Sequence, residues 1–124
     1  MSTHQQEIER LKSLMLKKSY YVMFRKVIDR SKLAAVLLDH YHWIIALEKK
    51  GLVFASGPLF EADGSQGVGM TVFRASSEEE ASALAAGDPF CALGAMTFTI
   101  QRWQLNEGRI QIHLDISDQT YSLG

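Results

Sequence analysis

One cysteine and two prolines among 124 residues already narrow what this chain can be. A lone Cys91 cannot close an intrachain disulfide, which suits a reducing, cytoplasmic setting and excludes a small disulfide-stapled scaffold. No apolar run approaches the roughly 20 residues a helix needs to span a bilayer. The opening STHQQEIERLK is too polar and acidic for a secretory signal, so we expect no membrane partner. An excess of charge is missing too. Thirteen basic residues stand against fourteen acidic ones, a net charge of −1, and no global field attracts nucleic acid or an anionic surface.

Two further shortages concern cofactors. His40 and His42 are two apart on a helix and cannot face one ion, and no cysteine or carboxylate completes a set, so we expect no metal. Gly64, Gly67 and Gly69 precede a strand, whereas a dinucleotide loop opens a helix; we expect no such cofactor. What remains, 47% hydrophobic and 22% charged, is the composition of a soluble globular protein with one domain and a real core.

That core is organised around Ser31 to Gly51, SKLAAVLLDHYHWIIALEKKG. At about 100° per residue, Leu33, Val36, Leu37, His40, Trp43, Ile44 and Leu47 fall within about 60° of one direction. Ser31 or Asp29 can cap the start of this helix, and Gly51 can take the left-handed turn that ends it. His40 therefore points inward and His42 away.

Before it, residues 4–18 place Ile8, Leu11 and Met15 on one side of a short amphipathic helix, and Tyr20-Tyr-Val-Met-Phe reads as a strand. After it come a strand at Leu52–Ser56, broken by Gly57-Pro58, and a glycine-rich loop into a strand at Val68–Arg74. Ser77 and Glu80 form a capping box for a second helix, which runs through Ala86 to a stop at Gly87-Asp88-Pro89. Met96–Trp103 alternates as a fourth strand. Arg109–Ile116 alternates again, with Ile110, Ile112, Leu114 and Ile116 on one face.

The order βαββαβ predicts an α+β, ferredoxin-like domain: a four-stranded antiparallel sheet with both helices on one face. An extra N-terminal helix and an extra C-terminal strand flank it. The expected divisions are 1–19 for the N-terminal amphipathic helix, 20–103 for the ferredoxin-like domain and 104–124 for the C-terminal strand extension. An uncovered apolar sheet face predicts a homodimer packed face to face. RNA-binding domains share this order. The third strand here, Gln66-Gly-Val-Gly-Met70, lacks their basic residue and stacking aromatics, so we expect no nucleic-acid partner.

A histidine on an apolar stripe is most simply a core residue satisfied by a backbone carbonyl. It becomes a base if a carboxylate orients its ring. Asp88 is the candidate carboxylate, although Asp-Pro is also good turn chemistry.

His40 followed by an apolar helix to Gly51, then Leu-Val-Phe-Ala-Ser-Gly57-Pro58, resembles the first half of the YciI-like (YCII-related) family. Ala86-Gly87-Asp88-Pro89-Phe90, then Gly94 and a strand ending at Trp103, resembles its second half. The resemblance implies a dimeric ferredoxin-like fold with a histidine–aspartate pair, here His40 and Asp88, as catalytic residues in a cleft. Relatives include enzymes that remove chloride from chlorinated aromatic breakdown products, and muconolactone isomerases share the wider fold. Family members often carry Arg-Pro just before the histidine. This chain has Leu37-Leu38-Asp39 instead, so an arginine suited to an anionic substrate is missing there.

Two functions compete on these grounds. The first is a cofactor-independent lyase or isomerase in which His40 and Asp88 perform acid–base chemistry, isomerisation or elimination of the dehalogenation type, on a small molecule. The second is a non-catalytic dimeric module that binds a small ligand or a protein.

Overall fold

The computed structural model describes residues 2–124. The chain divides into two compact units, Ser19–Gln104 and a second made of the segments up to Lys18 and from Leu105 to Gly124. In the larger unit β1 (Lys18–Val27), α2 (Leu33–Lys49), β2 (Val53–Phe60), β3 (Gln66–Phe73), α3 (Glu78–Ala86), a short α4 (Pro89–Ala92) and β4 (Met96–Leu105) follow one another, while α1 (Thr3–Leu14) precedes them. The strands form one antiparallel sheet in the order β2-β3-β1-β4. Each helical crossover thus passes over one intervening strand, and the result is a ferredoxin-like α+β fold.

Both helices pack on the same sheet face. Met23 and Phe73, each fully buried, share a core with Leu47 of α2 and with Ala81 and Ala85 of α3. Strand register shows what else lies on that face. Tyr21 opposes Phe73, Met23 opposes Thr71, and Arg25 opposes Gly69. From β2, Val53, Ser56 and Pro58 pair with Phe73, Thr71 and Gly69. Residues directly opposite each other across strands share a face, so a polar corner of Arg25, Thr71 and Ser56 adjoins the apolar core.

Several expectations need correction. Gly57-Pro58 does not break β2, which continues to Phe60; β2 is an edge strand, where proline's missing N–H costs no ladder bond. The start of α2 is not capped by Ser31. Asp29 accepts from the Ser31 N–H and caps a 3-10 turn, Arg30–Lys32, that leads into the helix. The capping box at α3 is half formed: Ser77 Oγ accepts from the Glu80 N–H at 3.1 Å, but the Glu80 carboxylate accepts from Ser76 rather than Ser77. Gly87 has an ordinary φ of −80°. Its value lies in space, because a Cβ there would meet Trp43 Nε1 and the Leu84 carbonyl at 3.3 Å. Gly51, with φ of 78°, does end α2 in the left-handed conformation.

The second sheet face was expected to be bare. It is so in part: Tyr20, Val22 and Val72 on it are only 3%, 6% and 2% exposed and the Tyr20 ring packs on Phe54 and Trp103 at 5.0 and 6.0 Å, whereas Ala55 and Leu59, opposite Val72 and Val68, are exposed.

In the smaller unit the expected C-terminal strand is present as β5 (Ile112–Asp115). It does not join the four-stranded sheet; it pairs with β6 (Thr120–Leu123) in a hairpin of its own. Ile112 opposes Leu123 and Leu114 opposes Tyr121, so one hairpin face is wholly apolar. Asp118 accepts from the Thr120 N–H and hydroxyl to form the turn.

Candidate functional site

The site begins with the end of α3. Gly87 lets the chain pass close under Trp43, and Asp88 then caps α4 by accepting the Phe90 N–H on Oδ1 at 3.0 Å, with Pro89 in the first helical position. Proline is favoured there because its missing N–H would have no partner anyway. This cap holds the Asp88 carboxylate in place, fully buried. The same Oδ1 lies 2.9 Å from His40 Nδ1.

One assignment follows from that geometry. Oδ1 already accepts the Phe90 N–H, and an oxygen acting as acceptor needs a donor opposite it, so the hydrogen of this contact is assigned to His40 Nδ1. With Nδ1 as donor, a neutral ring carries its lone pair on Nε2, which has no hydrogen-bond partner among the described residues, and His40 lines the open cleft. Phe90 stacks on the imidazole with centroids 4.4 Å apart and planes at 30°. The Asp-Pro-Phe turn therefore orients the ring at its edge and holds it by its face. His42 is exposed, on the far side of α2.

Arg25 completes a buried charge cluster that sequence reasoning missed. It is 3% exposed and its Nη1 stands 3.8 Å from Asp88 Oδ2. That oxygen has no hydrogen-bond partner among the described residues, so Arg25 answers it by charge rather than by a bond. Burial pulls the Arg25 guanidinium below its usual range, and Asp88 pulls it back up. Nη1 donates to Thr71 Oγ1 at 2.8 Å and Nη2 to Ser56 Oγ at 3.3 Å. Ser56 and Thr71 bond each other at 2.7 Å. A signal for Arg25 existed in the sequence. It shares strand parity with Tyr21 and Met23, and a charge on the inward parity of an apolar strand needs a buried partner.

Cys91 follows this cluster and is half-buried. Desolvation first, and Asp88 second, push its thiol up to about 11, against a smaller opposing effect of Arg25. With a raised folded-state value, the thiol favours the folded chain fully below its ordinary value near 9. That contribution is lost as pH climbs toward 11. The kinetic consequence is easier to read. At pH 8 the thiolate fraction falls about a hundredfold below that of an ordinary cysteine, so iodoacetamide labelling of the folded protein should be about a hundredfold slower than after denaturation. Equal rates would contradict this environment.

The cleft lies between α2 and the β2–β3 edge of the sheet and encloses about 800 Å³. Leu33, Leu37, Ile44 and Met96 make apolar walls, while His40, Arg25, Ser56 and Arg30 bring polar groups to it. Volumes of this order hold small organic molecules. Among the described residues no group of three or more histidine, cysteine or acidic side chains could hold a metal ion, and no helix is long and apolar enough to cross a membrane.

A ferredoxin-like α+β domain with a carboxylate-bonded histidine on an open cleft is the class that fold and geometry define. The chain belongs to the YCII-related domain family, whose profile matches residues 19–104. Among solved structures it is similar to 5-chloro-2-hydroxyhydroquinone dehydrochlorinase (TftG) from Burkholderia phenoliruptrix AC1100, in complex with 2,5-dihydroxybenzoquinone. The TM-score is 0.53 at 21% identity, covering 68% of this chain and 92% of that one. The likeness is one of fold. No curated protein sequence matches the chain.

Proposed function

We propose that this protein is a small-molecule enzyme in which His40 is the acid–base group and Asp88 its positioning partner. The observation that carries the reading is the 2.9 Å contact from Nδ1 to a buried carboxylate, because it leaves Nε2 as a base directed at the cleft. The reaction class it suits is proton abstraction from carbon coupled to isomerisation or to loss of a leaving group. In the elimination form Nε2 takes the proton, the C–H electron pair becomes the new π bond, and halide departs with its own pair. The proton then passes from imidazolium to water. The dehydrochlorinase activity named for TftG makes chlorinated hydroquinones the first substrates to try.

The test combines chloride release from such compounds with deuterium incorporation at carbon in D2O, for the wild type and for His40→Ala. Activity confined to the wild type supports the reading; equal activity of the two ends it. A non-catalytic module would suit a cleft too small for a ligand, or a histidine bonded to a backbone carbonyl with Asp88 in solvent. An open cleft and a fully buried Asp88 support the enzyme instead.

We further propose that the chain forms a homodimer, through the β5–β6 hairpin rather than through the sheet face. Ile110, Ile112, Leu114, Ile116, Tyr121 and Leu123 are 64–87% exposed, and a lone two-stranded hairpin is marginal in water. Their exposed surface amounts to roughly 900 Å², comparable with the 800 Å² per partner of a standard specific interface. An apolar face is complementary to its own copy, as a two-fold contact requires. Sedimentation at micromolar concentration should give a dimer for the wild type and a monomer for Ile112→Lys with Leu114→Lys. A monomeric wild type would overturn the pairing.

A further inference from the structure

The cleft beside His40 also carries two guanidinium groups, and Gly69 of β3 makes room for one of them. Arg25 stands opposite Gly69 across the β1–β3 pair. A Cβ at Gly69 would lie 3.2 Å from Arg25 Cγ and only 2.8 Å from its Nε, so the guanidinium would have to shift. Two residues earlier, a Cβ at Gly67 would sit 3.5 Å from Arg30 Nη2. Arg30 is held there by donating from Nη2 to the Gln66 carbonyl at 2.9 Å. The first part of the helix-facing side of β3, Gly67 and Gly69, is therefore free of side chains and flanked by two cations, in a cleft whose walls are otherwise mostly apolar.

The two cations are not equivalent. Arg25 is buried and faces Asp88, whereas Arg30 is exposed and makes no ion pair with any described residue. Glu48, the acidic residue that lines the cleft, is on the last turns of α2, about four helical turns along from the Arg30 turn that precedes it. Arg30 thus has donors left over, at the lip of an apolar slot that leads to His40. A guanidinium fork matches a carboxylate in shape and charge.

We propose that the ligand of this cleft is a small organic carboxylate. Its carboxylate is received by Arg30 over the bare Gly67 strip, and its apolar body lies along Leu33 and Leu37 toward His40. The proposal rests on the cleft being the ligand site, as the enzymatic reading does, but it requires equilibrium binding only.

Benzoate, with benzamide as its neutral counterpart, is the probe. Backbone amide shifts of the full-length protein, followed by NMR during titration, should move at Gln66–Gly69 with benzoate. Benzamide should bind at least about tenfold more weakly, as loss of a charge-assisted pair implies. Arg30→Gln, an exposed substitution, should abolish the preference, and Arg30→Lys should restore part of it. Equal binding of the two probes, no shift with either, or a preference untouched by Arg30→Gln would each overturn the proposal. Benzoate selectivity without any turnover would sink the enzymatic reading and leave this one standing. Turnover of neutral substrates without that selectivity would do the reverse.

Discussion

Asp88→Ala is expected to lower the melting temperature by about 12–40 °C. The carboxylate is fully buried, caps α4, bonds His40 and faces the Arg25 guanidinium. Truncating it leaves a buried cation without its counter-charge, a loss of about 3–5 kcal/mol. In a domain of 60–100 residues, each kcal/mol moves the midpoint by about 4–8 °C. Calorimetry or circular dichroism would measure it, and a drop of less than about 5 °C would show that Asp88 is not answering Arg25. The combination of Arg25→Met with Asp88→Ala should lose less than the two single changes added together, because the second removes the charge that the first leaves stranded. Strict additivity would place the two groups in separate environments.

His40→Ala is the change with the largest expected effect on chemistry, a fall of about 10²–10⁴ in kcat, the usual contribution of a positioned acid–base group. Stability should change less than for Asp88→Ala, since Asp88 keeps the Phe90 N–H and the facing Arg25 when the His40 bond is lost. Asp88→Asn separates orientation from charge. The amide keeps the shape of the turn but no longer requires Nδ1 to be the donor, so kcat should fall while KM stays close to wild type. An Asn variant with full kcat would remove Asp88 from the mechanism.

Much of the scaffold was legible along the chain because period and punctuation are local. The stripe through Val36, His40 and Leu47 needs only the helical repeat, and all three are buried. Gly51 ends α2, Ser77 caps α3, and Met96 starts β4, each for reasons contained within a few neighbouring residues. Short motifs also marked both halves of the site, His40 on one helix and Asp88 after another.

Elsewhere local rules were overruled. Gly57-Pro58 reads as a break, yet β2 runs through it, because only sheet order reveals that β2 is an edge. β6 has too few residues to declare itself and depends on β5 as its partner. Ser56 shows the strongest case. Simple alternation from Val53 would turn Ala55 inward and Ser56 outward. An irregularity between Val53 and Ala55 shifts the register, and a bulge of this kind reverses parity, so Ser56 meets Arg25 and Thr71.

By itself, then, the chain determined the βαββαβ order of its main elements, the fold class and the inward direction of His40, since each follows from spacing within one segment. Only the tertiary structure decided that Asp88 reaches that ring, that Arg25 is the cation beside it and that Arg30 stands over Gly67. Those contacts join residues 36 to 63 positions apart on separate elements, with distances set by strand register and helix packing, which no periodicity encodes.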